Sequence, residues 1–352
     1  MMKRTVHWFI LLAVTAAFMP AGDAVALERC LICHQKHDLV KTEETGRKIS
    51  LFVDKQQLQN SVHAERICTD CHVDIAAIPH QKEVNKVNCK RCHYSGNPVG
   101  APEGALYDQY EHSVHGLAVA AGNPTAPICQ DCHGDHNILP HDSTESRMYR
   151  ANIPRTCGRC HIDIYAQYKE SVHGVEAEKG NVDVPVCSSC HGEHNIARHE
   201  DPRSKVYVTN ITHTCADCHG PKGVASKYGI KTDRTETFEE SFHGVGQQMG
   251  NKMVANCASC HGIHDIRRED DPKSSIYIDN IPGTCGKADC HPEATVRFAS
   301  GQIHIDPKSE ESGIIYYISR FFLILTVSTL VGLFIFIIMD LFRRAKTSRA
   351  KR

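Results

Sequence analysis

The sequence predicts short α-helices and irregular loops with little β-sheet, packed around bound groups rather than an apolar core, and one membrane-spanning helix near the C-terminus. Three observations in the 352 residues carry this prediction: aromatic residues make up only 7%, there are 18 cysteines and 24 histidines, and one long apolar run lies near the C-terminus. Burial of so few large side chains does not offset the conformational entropy lost on folding. Something else must fill the interior.

The N-terminus has the pattern of a secretory signal peptide. Lys3 and Arg4 precede an apolar run that contains the single tryptophan, Trp8, and Ala24-Val25-Ala26 follows as a small-residue cleavage site. The alternative is an uncleaved anchor helix, but the apolar run is too short to span a bilayer comfortably. We therefore predict a signal peptide over residues 1–26.

The C-terminal apolar run predicts a transmembrane helix over residues 314–341. It includes 19 uncharged residues, Phe321 to Met339, which as a helix are about 28 Å long. Tyr316 and Tyr317 suit the membrane–water interface, and Arg320 is expected to extend its charge outward.

Six cations in the tail, residues 342–352, favour a cytoplasmic C-terminus. A buried core helix is the alternative. We expect a single-pass protein of the bacterial cytoplasmic membrane, with the chain before the helix in the periplasm.

The exported part is acidic, although the formal net charge of the whole chain is −1. Without the leader and the six tail cations, 32 basic and 40 acidic residues remain, a net charge of −8. Such a surface favours basic protein partners and disfavours nucleic acid.

All 18 cysteines fall into nine motifs, each ending in histidine. Eight have the form Cys-x-x-Cys-His, and the ninth has four residues between its cysteines. In chain order, motifs 1 to 9 are Cys30, Cys33 and His34; Cys68, Cys71 and His72; Cys89, Cys92 and His93; Cys129, Cys132 and His133; Cys157, Cys160 and His161; Cys187, Cys190 and His191; Cys215, Cys218 and His219; Cys257, Cys260 and His261; and Cys285, Cys290 and His291.

This motif is typical of covalent haem attachment. Two thiols bind the two vinyl groups on one haem edge, and the following histidine supplies an axial nitrogen to the iron. Disulfides would not require a histidine after every second cysteine. Zinc sites need four ligands from paired motifs, and iron–sulfur clusters need cysteines in fours. The sequence predicts nine haem c groups. The wider motif 9 should still attach haem, since its two extra residues can bulge.

An internal duplication sets the positions of further histidines. Three regular units, residues 113–161, 171–219 and 241–291, follow an N-terminal three-haem section, 27–112, that is a degenerate version of the same plan. In each unit a Ser-x-His-Gly histidine lies 14 residues before a first motif cysteine, and a Cys-His-Gly-x-His histidine follows that motif. Asn-Ile-x-x-Thr-Cys then leads into the next motif, with a tyrosine (Tyr149, Tyr207 or Tyr277) eight residues before the cysteine.

When the whole chain is aligned to this repeat, nine further histidines are available as second axial ligands for the nine irons. They are His63, His80, His115, His136, His173, His194, His243, His264 and His304, the last a terminal element of the repeat region 113–305. We predict two axial imidazoles at every iron. His37 is the rival to His80, and His112, His141, His199 and His213 are expected at the surface. Because a porphyrin separates its two axial faces, His136, His194 and His264 should ligate haems other than those of their neighbouring motifs.

At these residues the chain resembles the periplasmic multihaem cytochromes c of anaerobic respiratory bacteria, over nearly all of positions 28–305. Motif 9 looks like a variant found in class III cytochromes c. The membrane tether resembles that of the NapC/NirT quinol dehydrogenases in purpose, but theirs is N-terminal, which weakens the case for direct quinol oxidation here. The resemblance implies a complex with a membrane cytochrome b or other quinone-reactive subunit, which exchanges electrons with soluble periplasmic cytochromes.

These features favour an electron carrier over an enzyme, since a relay needs both axial positions of each iron filled. The alternative is a multihaem reductase of a small nitrogen or sulfur oxyanion at one open haem. Many multihaem reductases carry lysine in place of the motif histidine, and no Cys-x-x-Cys-Lys occurs here. A filament-forming cytochrome is a third interpretation, against which the retained C-terminal helix argues.

Overall fold

The computed structural model describes residues 29–42, 46, 48–80, 84–101, 104–299, 301 and 303–350, so the predicted signal peptide lies outside it. The described chain is mostly short helices and loops with little strand and one long apolar helix, as predicted. Residues 29–34 are helical. The further α-helices are Lys55–Gln59, Cys68–Cys71, Gly104–Glu111, Val114–Ala120, Cys129–His133, Ile153–Gly158, Ile162–Glu170, Val172–Glu178, Cys187–His191, Ile211–His219, Arg234–Glu239, Phe242–Gln248, Cys257–His261, Ile281–Cys285, Val296–Ala299 and Ile314–Ala350. Single 3₁₀ turns form at Cys89–Arg91, Arg150–Asn152, Val224–Tyr228 and Glu310–Ser312.

Within the described residues, β-structure is limited to one two-stranded antiparallel sheet. Strand Val40–Thr42 pairs with Lys48–Ser50, with Lys41 opposite Ile49. Two strands of three residues are not stable alone in water. This hairpin therefore depends on the chain around motif 1.

The Ser-x-His-Gly pattern is the start of a helix. In the second regular unit Ser171 precedes the helix Val172–Glu178, and its Oγ accepts a hydrogen bond from the amide of Gly174 at 3.0 Å. The same hydroxyl donates to the carbonyl of Tyr168 at 2.7 Å. Such an N-cap stabilises a helix by about 1 kcal/mol. Ser113 and Ser241 cap the corresponding helices in the same way.

Glycine is required after the histidine because two helices meet there. A Cβ on Gly174 would overlap the carbonyl oxygen of Tyr168 and lie 2.9 Å from Lys169 Cα. Gly116 and Gly244 face the preceding helix equally closely. The capping serine and the glycine together fix the direction in which the histidine between them leaves the helix.

The Asn-Ile-x-x-Thr-Cys pattern folds a loop against a motif. Asn210 Nδ2 donates to the carbonyls of Pro202 and Ser204, both at 2.9 Å. Thr214 Oγ1 donates to the carbonyl of Lys205 at 2.7 Å. Asn152 and Asn280, with Thr156 and Thr284, make the equivalent bonds in the other units. Each bond satisfies a loop carbonyl that no regular ladder would pair.

The core that side chains alone form is small. Apart from proline and glycine, only seven apolar residues are buried across the described residues: Leu31, Ile153, Val186, Tyr207, Ala225, Phe238 and Ala299. The chain divides into two compact units, Met1–Thr156 and Cys157–Arg352. In the described part of each unit, the apolar interior is smaller than a domain of that size needs.

The C-terminal helix is long and apolar enough to cross a membrane. It runs for 37 residues from Ile314 to Ala350, or about 55 Å, and its most apolar window is 0% buried. Arg320 lies over the ring of Tyr316 at 5.1 Å. At the other end Asp340 forms ion pairs with Arg343 and Arg344 at 3.0 and 2.6 Å.

The helix contact at Gly174 gives a testable prediction. Gly174→Ala should lower the free energy of unfolding by about 1–3 kcal/mol because the added methyl group overpacks against backbone. Gly283→Ala is the matched control, since a Cβ there has nothing within 4 Å, and it should cause no loss. Thermal unfolding of the two mature variants measures the difference. Equal midpoints would contradict the close contact.

Candidate functional site

Fourteen of the eighteen predicted histidine ligands lie in seven pairs. Each pair joins a motif histidine to a histidine from the predicted second set, with ring centres 6.1 to 6.3 Å apart. The pairs are His34–His80, His93–His63, His72–His136, His219–His173, His191–His264, His291–His243 and His261–His304.

The separation of the rings is constant although their orientation is not. Interplanar angles range from 11° for His34–His80 to 70° for His63–His93. Rings in direct contact come closer, as His37 and Phe52 do at 4.0 Å. A bond of about 2.0 Å from imidazole to a first-row metal, plus roughly 1.1 Å from nitrogen to ring centre, places two axial imidazoles of one ion about 6.2 Å apart. The observed spacing therefore fits one metal ion between two rings.

A pair of imidazoles supplies two ligands, and the porphyrin supplies the other four that a haem iron needs. In the described part of the chain, no group of three or more histidine, cysteine or acidic side chains is placed to hold a metal ion. The two imidazoles of a pair would supply the two axial nitrogens that a haem iron takes from protein.

Burial keeps most of these imidazoles neutral. It lowers the pKa of His173 to about 4. Burial is also the main reason that the pKa is lowered at His63, His72, His191, His219, His243, His261, His264 and His304. A metal binds the neutral imidazole, so these groups need not lose a proton at neutral pH to become ligands.

Two of the paired histidines have a hydrogen bond on Nδ1 that fixes the tautomer. His34 Nδ1 lies 2.8 Å from the carbonyl oxygen of Leu51, which can only accept. His304 Nδ1 lies 3.2 Å from Thr237 Oγ1. A proton on Nδ1 leaves Nε2 as the free base, the arrangement usual for a metal-binding histidine.

The first cysteines of neighbouring motifs lie beside one another. The thiols of Cys89 and Cys129 are in hydrogen-bonding contact, which lowers the pKa of Cys129 to about 7. The contact of Cys215 with Cys257 lowers the pKa of Cys257 to about 7 in the same way. Burial, with Cys30 nearby, raises the pKa of Cys68 to about 11. The same contacts raise the pKa of the partner thiols, Cys89 and Cys215, so these shifts show that the thiols are close together and do not show that either motif is activated for attachment.

The second cysteines of the motifs are more accessible than a buried core thiol would be. Four of them are exposed, namely Cys33, Cys71, Cys160 and Cys290. The other five are half-buried: Cys92, Cys132, Cys190, Cys218 and Cys260. All eighteen cysteines lie in the described residues, and none of them forms a disulfide. Accessible thiols outside disulfides suit attachment to a second vinyl group, but the structure does not bring these nine into an attachment site, so that role stays a prediction.

Three of the second cysteines lie near cysteines of the next motif. Burial is the main reason that the pKa of Cys71, Cys190 and Cys260 is raised. A smaller contribution in the same direction comes from nearby thiols, which are Cys89 and Cys92 at Cys71, Cys218 at Cys190, and Cys285 and Cys290 at Cys260. At these three places, thiols of consecutive motifs therefore lie close together.

The wide motif 9 keeps the backbone bond of the ordinary motifs. The amide of His291 donates to the carbonyl of Cys285 at 3.1 Å, as the amide of His72 donates to the carbonyl of Cys68 at 2.9 Å. Cys290 lies in a turn in which its own amide donates to the carbonyl of Lys287 at 2.9 Å. The two additional residues are therefore taken up between the cysteines, and the histidine keeps its position relative to Cys285.

His80 and its rival His37 have different neighbours. The ring of His80 faces that of His34, whereas His37 stacks on Phe52, and both histidines are exposed. His112, His141, His199 and His213, expected at the surface, are exposed. His136 and His264 face His72 and His191, histidines of motifs other than their neighbours. Which of these histidines bind iron stays a prediction.

The other four predicted ligands occupy repeat positions equivalent to those of histidines in the seven pairs. His115 corresponds to His173 and His243, and His133 corresponds to His191 and His261. His161 corresponds to His219, and His194 to His136 and His264. Their role as ligands stays a prediction.

Sequence reasoning missed the groups that hold the ligands. Thr237 and the carbonyl of Leu51 bind Nδ1 of His304 and His34. The repeat gave no signal for Thr237, because the regular units carry Gln109 and Gln167 at the corresponding position. A backbone carbonyl leaves no trace in the sequence.

In comparisons with known proteins, no protein-family model matches the chain, and no solved structure matches it significantly.

The pairing of His80 can be tested against His37. If His34 and His80 hold one of nine haem irons, His80→Ala removes one of its two imidazoles and should convert about one ninth of the ferric haem from low spin to high spin. His37→Ala, the matched control, should leave the spectrum unchanged because its ring contacts Phe52. Electron paramagnetic resonance of both oxidised variants measures this. A high-spin signal in His37→Ala alone would reverse the assignment.

Proposed function

We propose that this protein is a nine-haem cytochrome c that relays electrons outside the cytoplasmic membrane, to which its C-terminal helix anchors it. It is an electron carrier rather than an enzyme that transforms a substrate, and it can serve as one subunit of a larger oxidoreductase complex. The observation that carries this proposal is the constant separation of seven histidine pairs, each of which includes a motif histidine.

Four residues hold each haem. The two motif cysteines fix its edge, the motif histidine provides one axial nitrogen, and the facing histidine provides the other. Haem iron supplies one-electron oxidation and reduction when bound. Imidazole on both sides excludes water and small anions from the metal, and it keeps the coordination the same in both oxidation states. Those properties suit electron transfer and not catalysis at iron.

The small side-chain core supports the same proposal. Seven buried apolar residues among those described are too few for the unit sizes, and nine porphyrins would supply the missing apolar surface. In this proposal the haems are structural as well as functional.

The anchor and the charge indicate the partners. A helix that remains exposed along its apolar length needs lipid or a membrane subunit to cover it. We propose a membrane cytochrome b or other quinone-reactive subunit at this helix, with soluble periplasmic cytochromes as the other partner. The acidic exported part, of net charge −8, favours basic cytochromes and not nucleic acid.

Spin state separates a relay from a reductase. The oxidised wild-type protein should show only low-spin ferric haem in electron paramagnetic resonance, and addition of nitrite or cyanide should change nothing, because every iron has two imidazoles. The His80→Ala variant is the positive control for an open iron. A wild-type high-spin signal that shifts with nitrite or cyanide would contradict the relay and favour the reductase.

A further inference from the structure

One short helix holds the segment that leads into the membrane helix. The helix Arg234–Glu239 and its C-cap residue Glu240 contact the chain between His304 and Lys308 at three places. Arg234 donates to the carbonyl of His304 at 3.3 Å, and Glu240 pairs with Lys308 at 2.5 Å. Between them Thr237 reaches the ring of His304. These three residues are spaced three apart, on one face of the helix.

The hydrogen bonds of Thr237 have a definite direction. Its Oγ1 lies 3.1 Å from the carbonyl of Arg234, which can only accept, so the hydroxyl proton is used there. With the proton donated to that carbonyl, the same oxygen, 3.2 Å from His304 Nδ1, can accept from an Nδ1–H. Thr237 is only 5% exposed, so water does not readily replace it. His304 is thereby held in the tautomer whose Nε2 is free for a metal.

The ring of His304 faces the ring of His261, the histidine of motif 8. The centres of His304 and His261 are 6.3 Å apart. His304 lies ten residues before the membrane helix begins at Ile314, and Glu311 is tied to Lys231 at 3.5 Å. The helix Arg234–Glu239 and its C-cap residue therefore hold the chain from His304 to Lys308, and Lys231, which precedes that helix, pairs with Glu311.

We infer that Thr237 is the positioning residue for His304, whose ring it holds through Nδ1 from the helix Arg234–Glu239. This rests on the proposed function, because it assigns a role toward haem. A hydrogen bond that Nδ1–H donates makes the imidazole a stronger electron donor, which stabilises the oxidised metal. Loss of the acceptor therefore raises the reduction potential of that one haem.

The test compares Thr237→Val with Thr235→Val and Thr237→Ser in the full-length, detergent-extracted protein. Thr235 lies on the same helix and is buried to 6% exposure, so it controls for the loss of a buried hydroxyl there. In a potentiometric titration followed by haem absorbance, Thr237→Val should move about one ninth of the absorbance change to higher potential. Thr237→Ser and Thr235→Val should match the wild type. If the Thr237→Val protein does not accumulate in the expressing cells, Thr237→Ala serves for the same comparison.

Two outcomes overturn the inference. One is a Thr237→Val titration identical to that of the wild type, and the other is a shift spread over all the haems, which would mean a general structural effect. His304→Ala separates this inference from the proposed function. It should render one ninth of the haem high spin in electron paramagnetic resonance, and if it does not, the ligand assignment itself fails. If it does and Thr237→Val has no effect, only the role of Thr237 is wrong.

Discussion

The fold depends on one repeated constraint, the distance between two imidazoles that face each other. Seven pairs keep their ring centres within 6.1 to 6.3 Å while their planes turn through 11° to 70°. Direct packing of rings couples distance to orientation, so packing alone does not account for a constant distance at variable angle. In the proposed function, one bond length on each side of an iron accounts for it. The helix caps and glycine contacts of each unit fix the helices from which the Ser-x-His-Gly histidines project.

The same pairs tie distant parts of the chain together. They join residues between 30 and 73 positions apart, and the spans overlap: the pair His191–His264 begins inside the span of His173–His219 and ends inside that of His243–His291. If each pair holds one iron as proposed, a cross-link over a loop of this length would restrict the unfolded chain by about 4 kcal/mol in the chain-entropy account used for disulfides. Overlapping links of this kind would then compensate for a small apolar core.

The sequence predicted the components of the site better than their arrangement. The histidines of the Ser-x-His-Gly and Cys-His-Gly-x-His patterns could be identified because each pattern is a local backbone motif, a capped helix start or a helix end at a glycine of positive φ, Gly192 for example at 84°. The phasing of the repeat favoured His80 but left His37 open as its rival, because the contact of His37 with Phe52 is tertiary and leaves no signal in the repeat. Thr237 and the carbonyl of Leu51 were not predictable, since neither belongs to the repeat. Local motifs are encoded by neighbours in sequence, whereas the contacts that tune them come from chain far away.

The most direct test of the central claim is the intact mass of the mature, detergent-extracted protein. If paired cysteines and facing imidazoles each hold one iron porphyrin, the mass equals that of the chain from Leu27 onward plus nine haems. A mass with far fewer haems, or one equal to the polypeptide with its cysteines joined as disulfides, would contradict the account.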